Sequence, residues 1–591
     1  MLIGNSRSIK IKEEVKVRAK RLLIIPAVIT IFFLMNNCRS KKVVENPADL
    51  VLINGKIATM DEKNPLVEAI SIKGDKIQLA GTNDQIKKVI GDSTNVIDLK
   101  GKFVMPGFND SHAHFLGIGE SKTILDLHEA KNYDEVIALV AKAADNAKPG
   151  EWIIGRGWHQ EKFYPKPNPN VNGFPVHNEL SKASPRNPVI LKHASGHAIL
   201  VNAMAMQIAG VDKNTPGVEG GIIMRDEQGN PTGVFEENAL ELITKYYDDY
   251  LTRRKPAEIR VDYVRKIKLA SEDCLKKGVT SCADAGQPFA VIDLMKQLAD
   301  SNKIPVRINV MAEDSLPKMK ANLKNYFLVG YGNNHLNVRS VKKYIDGALG
   351  SRGAWMLEPY DDMPGSTGEN ITTVDVLQAF SELAIQSGFQ MCIHAIGDRG
   401  NREVLDLYER IFKKYPGLKN LRWRIEHAQH LSAEDIPRFA KLGVIAAMQG
   451  IHCTSDATFV PARIGLKRVE EGAYAWKKLL NSGAIICNGT DAPVEDVDPI
   501  KCFYASVTRK LPDGTTFFPE EKMTRFEALK SYTINGAYAT FEENIKGSLK
   551  AGMLADIVIL SNDLLSCSDE QIKTTKVLCT IVGGKILFEE K

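Results

Sequence analysis

The sequence predicts an α/β fold, a TIM-like (β/α) barrel joined to a small composite β-sandwich built from both chain ends, with an inserted lid region. Three observations carry this. The middle of the chain alternates helical periods with short apolar runs, as in the amphipathic stretch 257–277 followed by the strand-like 279–283, the pattern of parallel βα units. Both ends carry strand patterns instead. Finally, 591 residues exceed the ~250–300 at which a single core stops growing, so a further layer or domain is required.

Read from the N-terminus, a basic stretch (Lys10, Lys12, Lys16, Arg18, Lys20, Arg21) precedes an apolar run over residues 22–35 and then Asn36-Asn37-Cys38. This is the layout of an export signal. The run falls short of the ~20 residues a spanning helix prefers. Cys38 directly after it resembles the acylated cysteine of a bacterial lipoprotein, although Met35, Asn36 and Asn37 stand where such signals carry Leu and small residues. Residues 1–38 are therefore read as a lipoprotein-type signal segment, which places the protein on a bacterial membrane, in the periplasm or at the cell surface. An uncleaved anchor and a plain secreted form are the alternatives. A linker, 39–48, follows.

Residues 50–60 alternate like strands about the turn signal Asn54-Gly55, and 70–72 and 77–80 flank Gly74-Asp75 in the same way, which predicts short antiparallel strands. At the other end 555–560 and 577–582 are apolar strand runs, the second followed by Gly583-Gly584 and 585–589. Segments 49–106 and 541–591 thus make the sandwich, and 107–540 the barrel. One stretch, about 116–255, is long for a single βα loop. With Trp152, Trp158, Phe163 and Tyr164 among its prolines and glycines, it reads as an inserted lid and substrate-pocket region.

Composition narrows the class. With 44% hydrophobic and 25% charged residues the chain has the make-up of a packed globular protein. A net charge of +5, with basic residues dispersed after the first few dozen positions, leaves no phosphate-tracking stripe and argues against nucleic acid as a partner. Nine scattered cysteines without a CxxC read mostly as reduced core residues. The partner left is a small-molecule substrate; the oligomeric state stays open, a homodimer included.

The residues able to carry chemistry gather at strand ends. The run 103–114 ends in His112-Ala113-His114, two imidazoles at i and i+2 that leave one face of a strand and can grip one metal ion; a hydrogen-bonded structural pair is the plainer alternative. Met391-Cys392-Ile393-His394 and Arg424-Ile425-Glu426-His427 each place a histidine at the C-terminal end of a strand-like run, where βα barrels collect active-site groups, and Asp491 follows Gly489-Thr490 in the same manner. A lone histidine so placed is more often structural; the combination is what is specific. Lys342, in Val341-Lys342-Lys343-Tyr344, alone reads as a surface lysine, whereas facing inward it could be carboxylated by carbon dioxide. His197, within Ser195-Gly196-His197, is a candidate catalytic residue donating to a developing oxyanion, or else a histidine that structures the lid. Trp158 and Arg352 are substrate-pocket candidates, one as an apolar wall and one as an anion clamp.

Pro-Gly-Phe-Asn-Asp-Ser-His-Ala-His (106–114), Ile-His-Ala-Ile-Gly-Asp (393–398), Arg-Ile-Glu-His-Ala-Gln (424–429) and Gly-Thr-Asp-Ala-Pro-Val-Glu (489–495) together resemble the motifs of the amidohydrolase superfamily, in that family's order. Residues 342–353, 195–197 and 547–556 are similar to the branch of N-substituted formamide deformylases, so the resemblance runs from about Asp49 to the C-terminus. It implies a divalent-metal centre, zinc by ligand type, with His112 and His114 on one ion, His394 and His427 on another, carboxylated Lys342 as the bridge, and Asp491 as ligand and general base. Without carboxylation a bridging ligand is missing, and the expected site holds one ion. Gln449-Gly450-Ile451-His452 departs from the relatives, which tend to carry Gln-Pro before a histidine, and this bears on the loop after the seventh strand.

The expected activity is hydrolysis of a C–N bond, amide, N-acyl or N-formyl, of a small molecule by metal-activated hydroxide. The same centre would serve cyclic amides, esters or deamination. A non-catalytic surface lipoprotein on this fold is the alternative from a different class.

Overall fold

The computed structural model describes residues 44–590; the signal-like segment and Cys38 lie outside the described residues. Eight strands build the barrel: β1 (Phe108–Asp110), β2 (Val279–Gln287), β3 (Arg307–Ala312), β4 (Leu336–Tyr344), β5 (Gln390–Ala395), β6 (Arg424–His427), β7 (Ile445–Gln449) and β8 (Ile486–Gly489). Each pairs in parallel with the next. The ring closes between β8 and β1 just beyond the strands, where the Ser111 N–H donates to Asn488 O at 3.1 Å and the Asp491 N–H to His112 O at 2.7 Å. Gly489 sits on this seam because a Cβ there would collide with the His112 backbone.

Strand alternation decides which side chains aim inward. In β5, Met391, Ile393 and Ala395 join the main apolar core, while Cys392 clusters with Ala283, Ala285 and Met311; His394 is in phase with Cys392. In β4 the same rule separates neighbours. Val341 joins the outer core, Lys342 is fully buried inside, and Lys343 lies over the Phe380 ring, its Nζ 4.4 Å from the centroid. Each such apolar burial stabilises by ~1.5–3 kcal/mol, so a one-residue slip that turned Val341 inward and Lys342 outward is heavily disfavoured.

Beside the barrel lies the sandwich. One sheet runs Lys76–Gly81, Ala69–Lys73, Leu50–Ile53, Asn95–Asp98; the other runs Lys585–Glu589, Val577–Val582, Ile557–Leu560, Phe103–Pro106, Lys56–Ala58, Leu66–Val67. Leu50, Leu52, Ile70, Ile72, Val104 and Ile557 share one of its buried clusters, so strands from both chain ends complete a single core. The turn at Asn54-Gly55 corrects one expectation, because it makes no hairpin. Leu50–Ile53 pairs in parallel with Asn95–Asp98, and Lys56–Ala58 in parallel with Phe103–Pro106. Asn54, at φ 57°, therefore carries the chain from one sheet to the other. Turn chemistry sets the bend, while the later strands decide the pairing.

The inserted region, between helix Phe115–Ser121 and helix Pro256–Lys276, folds on its own six-stranded sheet: Gly221–Arg225, Pro231–Glu237, Ala198–Val201, Val189–His193, Ile153–Trp158, Leu125–Asp126. Its two apolar clusters gather around Trp158 with Phe174, and around Ile190 with Phe235. It walls the cavity at the barrel mouth. Among the described residues no helix is long and apolar enough to cross a membrane.

Candidate metal centre

The sequence-predicted ligands meet at the C-terminal ends of the strands. β1 ends at Asp110, so His112 and His114 sit beyond it, with His114 at the N-terminus of helix Phe115–Ser121. They do not project from a strand face as the i, i+2 spacing suggested. The His112–Asp491 backbone bond and the pair formed by Asp110 Oδ1 with the Thr490 N–H (3.0 Å) hold this segment instead. Both rings nonetheless reach Asp491, whose Oδ1 lies 3.5 Å from His112 Nε2 and 3.2 Å from His114 Nε2. The His112 and His427 ring centroids are 4.8 Å apart, and those of His427 and His394 4.4 Å.

Two of the candidate ligands are oriented by a partner. His112 Nδ1 is bonded to the Glu426 carboxylate, which two 2.7 Å bonds tie to the Arg424 guanidinium. His427 Nδ1 lies 2.7 Å from Gln449 Oε1. By alternation His427 would follow Ile425 outward, but its φ of 72° turns it into the site, and Asp491 likewise has φ 58°. Such left-handed backbone costs of order 1–3 kcal/mol per residue and persists where surroundings enforce it.

The donor set fits a metal. His394 Nε2, Lys342 Nζ and His452 Nε2 are all buried without a hydrogen-bond partner among the described residues, at ~1–3 kcal/mol for each group so left. Ligand atoms of His112, His427 and Asp491 lie within 4.8 Å of one another. Imidazole nitrogens with a carboxylate are donors that suit zinc and similar divalent ions. Burial pushes the His394 and His427 imidazoles well below their ordinary range, leaving lone pairs free. Burial by itself would raise the Asp491 carboxyl, but His112 and His114 against it hold it well below the carboxylate range. At Lys342 burial lowers the pKa despite the opposing charges of Glu426 and Asp491.

A cavity of about 440 Å³ opens over this cluster. The barrel lines it with His114, His394, His427 and Asp491, the insertion with Arg156 and His197 among others. His197 Nδ1 lies 2.9 Å from Glu237 Oε2, and its ring centroid is 5.2 Å from that of His394. His452, from the departing Gln-Gly-Ile-His segment, stacks over His427 at 6.1 Å with its Nε2 4.0 Å from Asp491 Oδ2.

Two pocket expectations are corrected. Trp158 does not line the cavity: its Nε1–H donates to Leu191 O at 2.8 Å and its ring packs against His193 and Phe174. An irregularity at Gly157, φ 112°, breaks the strand phase, so Arg156 and His159 face the cavity in its place. Arg352 is no open anion clamp, because Asp362 takes its guanidinium at 3.1 and 3.0 Å. Sequence reading also missed Glu426, Gln449, Glu237 and Arg156. For Glu426 the i, i+2 spacing to Arg424 on one strand face was the available signal.

A barrel mouth with these buried, unpartnered donors is the architecture of a metal-dependent hydrolase. The amidohydrolase family model matches residues 95–588, and the chain belongs to that family. It is 34% identical to the protein LONG AFTER FAR-RED 3 of Arabidopsis thaliana, over 92% of each chain. To the N-substituted formamide deformylase of Arthrobacter pascens it is 26% identical, over 92% of this chain and 98% of that one. Among solved structures, an uncharacterized metal-dependent hydrolase from Pyrococcus horikoshii matches with a TM-score of 0.70 at 28% identity, over 88% of this chain and 99% of that one.

Proposed function

We propose that the protein hydrolyses a C–N bond, an amide of the N-acyl or N-formyl type, in a small molecule, with Asp491 as general base. The observation that carries this is the convergence of Asp491 with His112, His114 and His427 beneath the cavity, with His394 Nε2 and Lys342 Nζ beside them buried without a hydrogen-bond partner among the described residues. The relative named a deformylase supports the choice of bond.

His112 and His114 would hold one divalent ion and His394 and His427 a second, with Asp491 and carboxylated Lys342 completing the set; zinc suits these ligands. Lys342 supports that role by being fully buried, its Nζ over the Tyr344 ring at 4.7 Å and without a hydrogen-bond partner among the described residues. When bound, the ions supply Lewis acidity toward the substrate carbonyl and acidify a water. Asp491 accepts the proton of the attacking water and returns it to the nitrogen as the C–N bond breaks, giving an amine and a carboxylic acid. His197 faces the cavity from the insertion; with Nδ1 engaged by Glu237, its Nε2 would accept a hydrogen bond from the substrate N–H, an orienting role in place of the oxyanion donation expected from sequence.

The test pairs metal content with turnover of a panel of N-formyl and N-acyl amines, cyclic amides, esters and aminated rings. Wild type is expected to hold about two ions and to prefer the open-chain amides. Lys342→Ala should hold one or none, and Asp491→Asn should lose turnover while keeping metal. Wild type that binds no metal after reconstitution, or that acts only on esters or rings, would overturn the reading.

A further inference from the structure

Glu237 stands forty residues from His197 in sequence, yet the two are tied twice. The Glu237 backbone N–H donates to His197 O at 3.0 Å, and Glu237 Oε2 lies 2.9 Å from His197 Nδ1. Glu237 is the last residue of strand Pro231–Glu237, and its backbone has φ 53° and ψ −131°. That conformation is unfavourable for any residue with a Cβ and is found where surroundings impose it. The other carboxylate oxygen, Oε1, is buried without a hydrogen-bond partner. It rests against Gly347 and Gly353, where a Cβ at either position would collide with it.

These observations are independent: a disfavoured backbone, a glycine cradle supplied by the segment that follows β4, and a bond to one particular imidazole nitrogen. The carboxylate itself is 3% exposed and the His197 side chain 16%. A buried carboxylate is costly unless its position is useful or fully compensated, and here one oxygen is compensated only by His197. With Nδ1 engaged, Nε2 is the ring atom left for the cavity that His197 lines, across from His394.

We infer that Glu237 is a positioning residue for His197. It clamps the imidazole between the insertion and the loop after β4, fixes the proton on Nδ1, and presents Nε2 to the substrate. The inference rests on the proposed hydrolysis for its kinetic consequence, but not for the state of the ring.

The experiment uses the full-length, metal-loaded protein in five forms: wild type, Glu237→Ala, Glu237→Gln, His197→Gln and the Glu237→Ala/His197→Gln double variant. Nitrogen-15 NMR of histidine-labelled protein, with His197 assigned by its loss in His197→Gln, reads which ring nitrogen carries the proton. N-formyl-phenethylamine is the kinetic probe. The expected result is a protonated Nδ1 in wild type, mixed tautomers in Glu237→Ala, and recovery in Glu237→Gln, which keeps an acceptor. In Glu237→Ala, kcat should fall by about 10–100-fold, KM should stay within about threefold, and metal content should be unchanged. The double variant should fall no further than His197→Gln, since both changes remove one device. An unchanged His197 tautomer in Glu237→Ala would overturn the inference, as would losses that multiply in the double variant. No turnover by wild type would count against the hydrolase reading, and the tautomer measurement would still decide this one.

Discussion

Replacing Glu426 by Gln separates two jobs that one carboxylate performs. Glu426 and Arg424 are 0% and 1% exposed and are joined by two 2.7 Å bonds, while Glu426 also holds His112 Nδ1. Burial opposes the Glu426 charge, yet Arg424 and then His112 hold its pKa far below the carboxylate range. Gln keeps the shape and loses the charge, so Arg424 stays buried with one side-chain oxygen and the Ser111 carbonyl where it had two carboxylate oxygens and that carbonyl. Removing one partner of a buried pair costs about 3–5 kcal/mol. Loss of the group that orients a metal-binding imidazole costs about 10–100-fold in metal affinity. Urea unfolding of the metal-free protein reads the first quantity and chelator competition the second. The Arg424→Met/Glu426→Leu double variant replaces the pair with apolar side chains; it should recover most of the stability but not the affinity, because His112 still lacks its acceptor. Wild-type metal affinity in either variant would show that the pair merely supports the barrel.

Three further outcomes follow from residues around the site. Burial, and then the Glu237 carboxylate, pushes Glu236 up to about 8 from its ordinary 4.5. Its stabilising contribution is therefore full below about pH 4.5 and is lost at about 1.4 kcal/mol per pH unit as the pH rises toward 8. Glu236→Gln should flatten the urea-midpoint profile in that window, and parallel profiles would contradict this. Arg156 lines the cavity with Nε and Nη2 donating to the carbonyls of Pro493 (3.2 Å) and Ala194 (2.9 Å), and no carboxylate among the described residues pairs with it. A carboxylate-bearing N-acyl substrate should thus show a KM about 10–100-fold below that of its neutral amide, in line with ~1.5–3 kcal/mol for a charged hydrogen bond; Arg156→Gln should abolish the difference. If Cys38 is the acylated residue of an exported lipoprotein, labelled palmitate will enter wild type and not Cys38→Ser, and the variant will leave the membrane fraction.

The barrel was legible because its signal is local: a strand that must bury both faces reads as an apolar run, and a covering helix reads as an amphipathic period. Register followed too, since only one phase puts Val341 in the outer core and Lys342 inside. The partners of a strand are a different matter. Asn54-Gly55 carries a hairpin signal, but Leu50–Ile53 and Lys56–Ala58 enter separate sheets because Asn95–Asp98 and Phe103–Pro106, some forty residues later, offer each a parallel edge. Trp158 failed as a pocket wall for a related reason. Its aromatic character is equally good for an insertion core, and the irregularity at Gly157 that settles its direction is a backbone event.

The same distinction runs through the site. The candidate ligand types and their places near strand ends are written in the sequence, because metal chemistry accepts few residue types and the barrel gathers strand ends at one mouth. The supporting residues have no such constraint. Glu426 could be met in any strand, and Glu237 is a glutamate in a long insertion until its backbone brings it under His197. His427 shows the limit most directly. Alternation from Ile425 sends it out of the barrel, and only the positive φ at that position turns its ring to within 4.8 Å of His112. The unfavourable conformations at His427 and Asp491 are sustained by the bonds that fix them, from His427 Nδ1 to Gln449 and from the Asp491 N–H to His112 O. It follows that Gln449→Ala should release strain as well as an orienting bond, so its loss of metal affinity should exceed its loss of stability in the metal-free protein. Chelator competition and urea unfolding on that single variant would expose the reverse order, which would mean that the strain belongs to the barrel and not to the site.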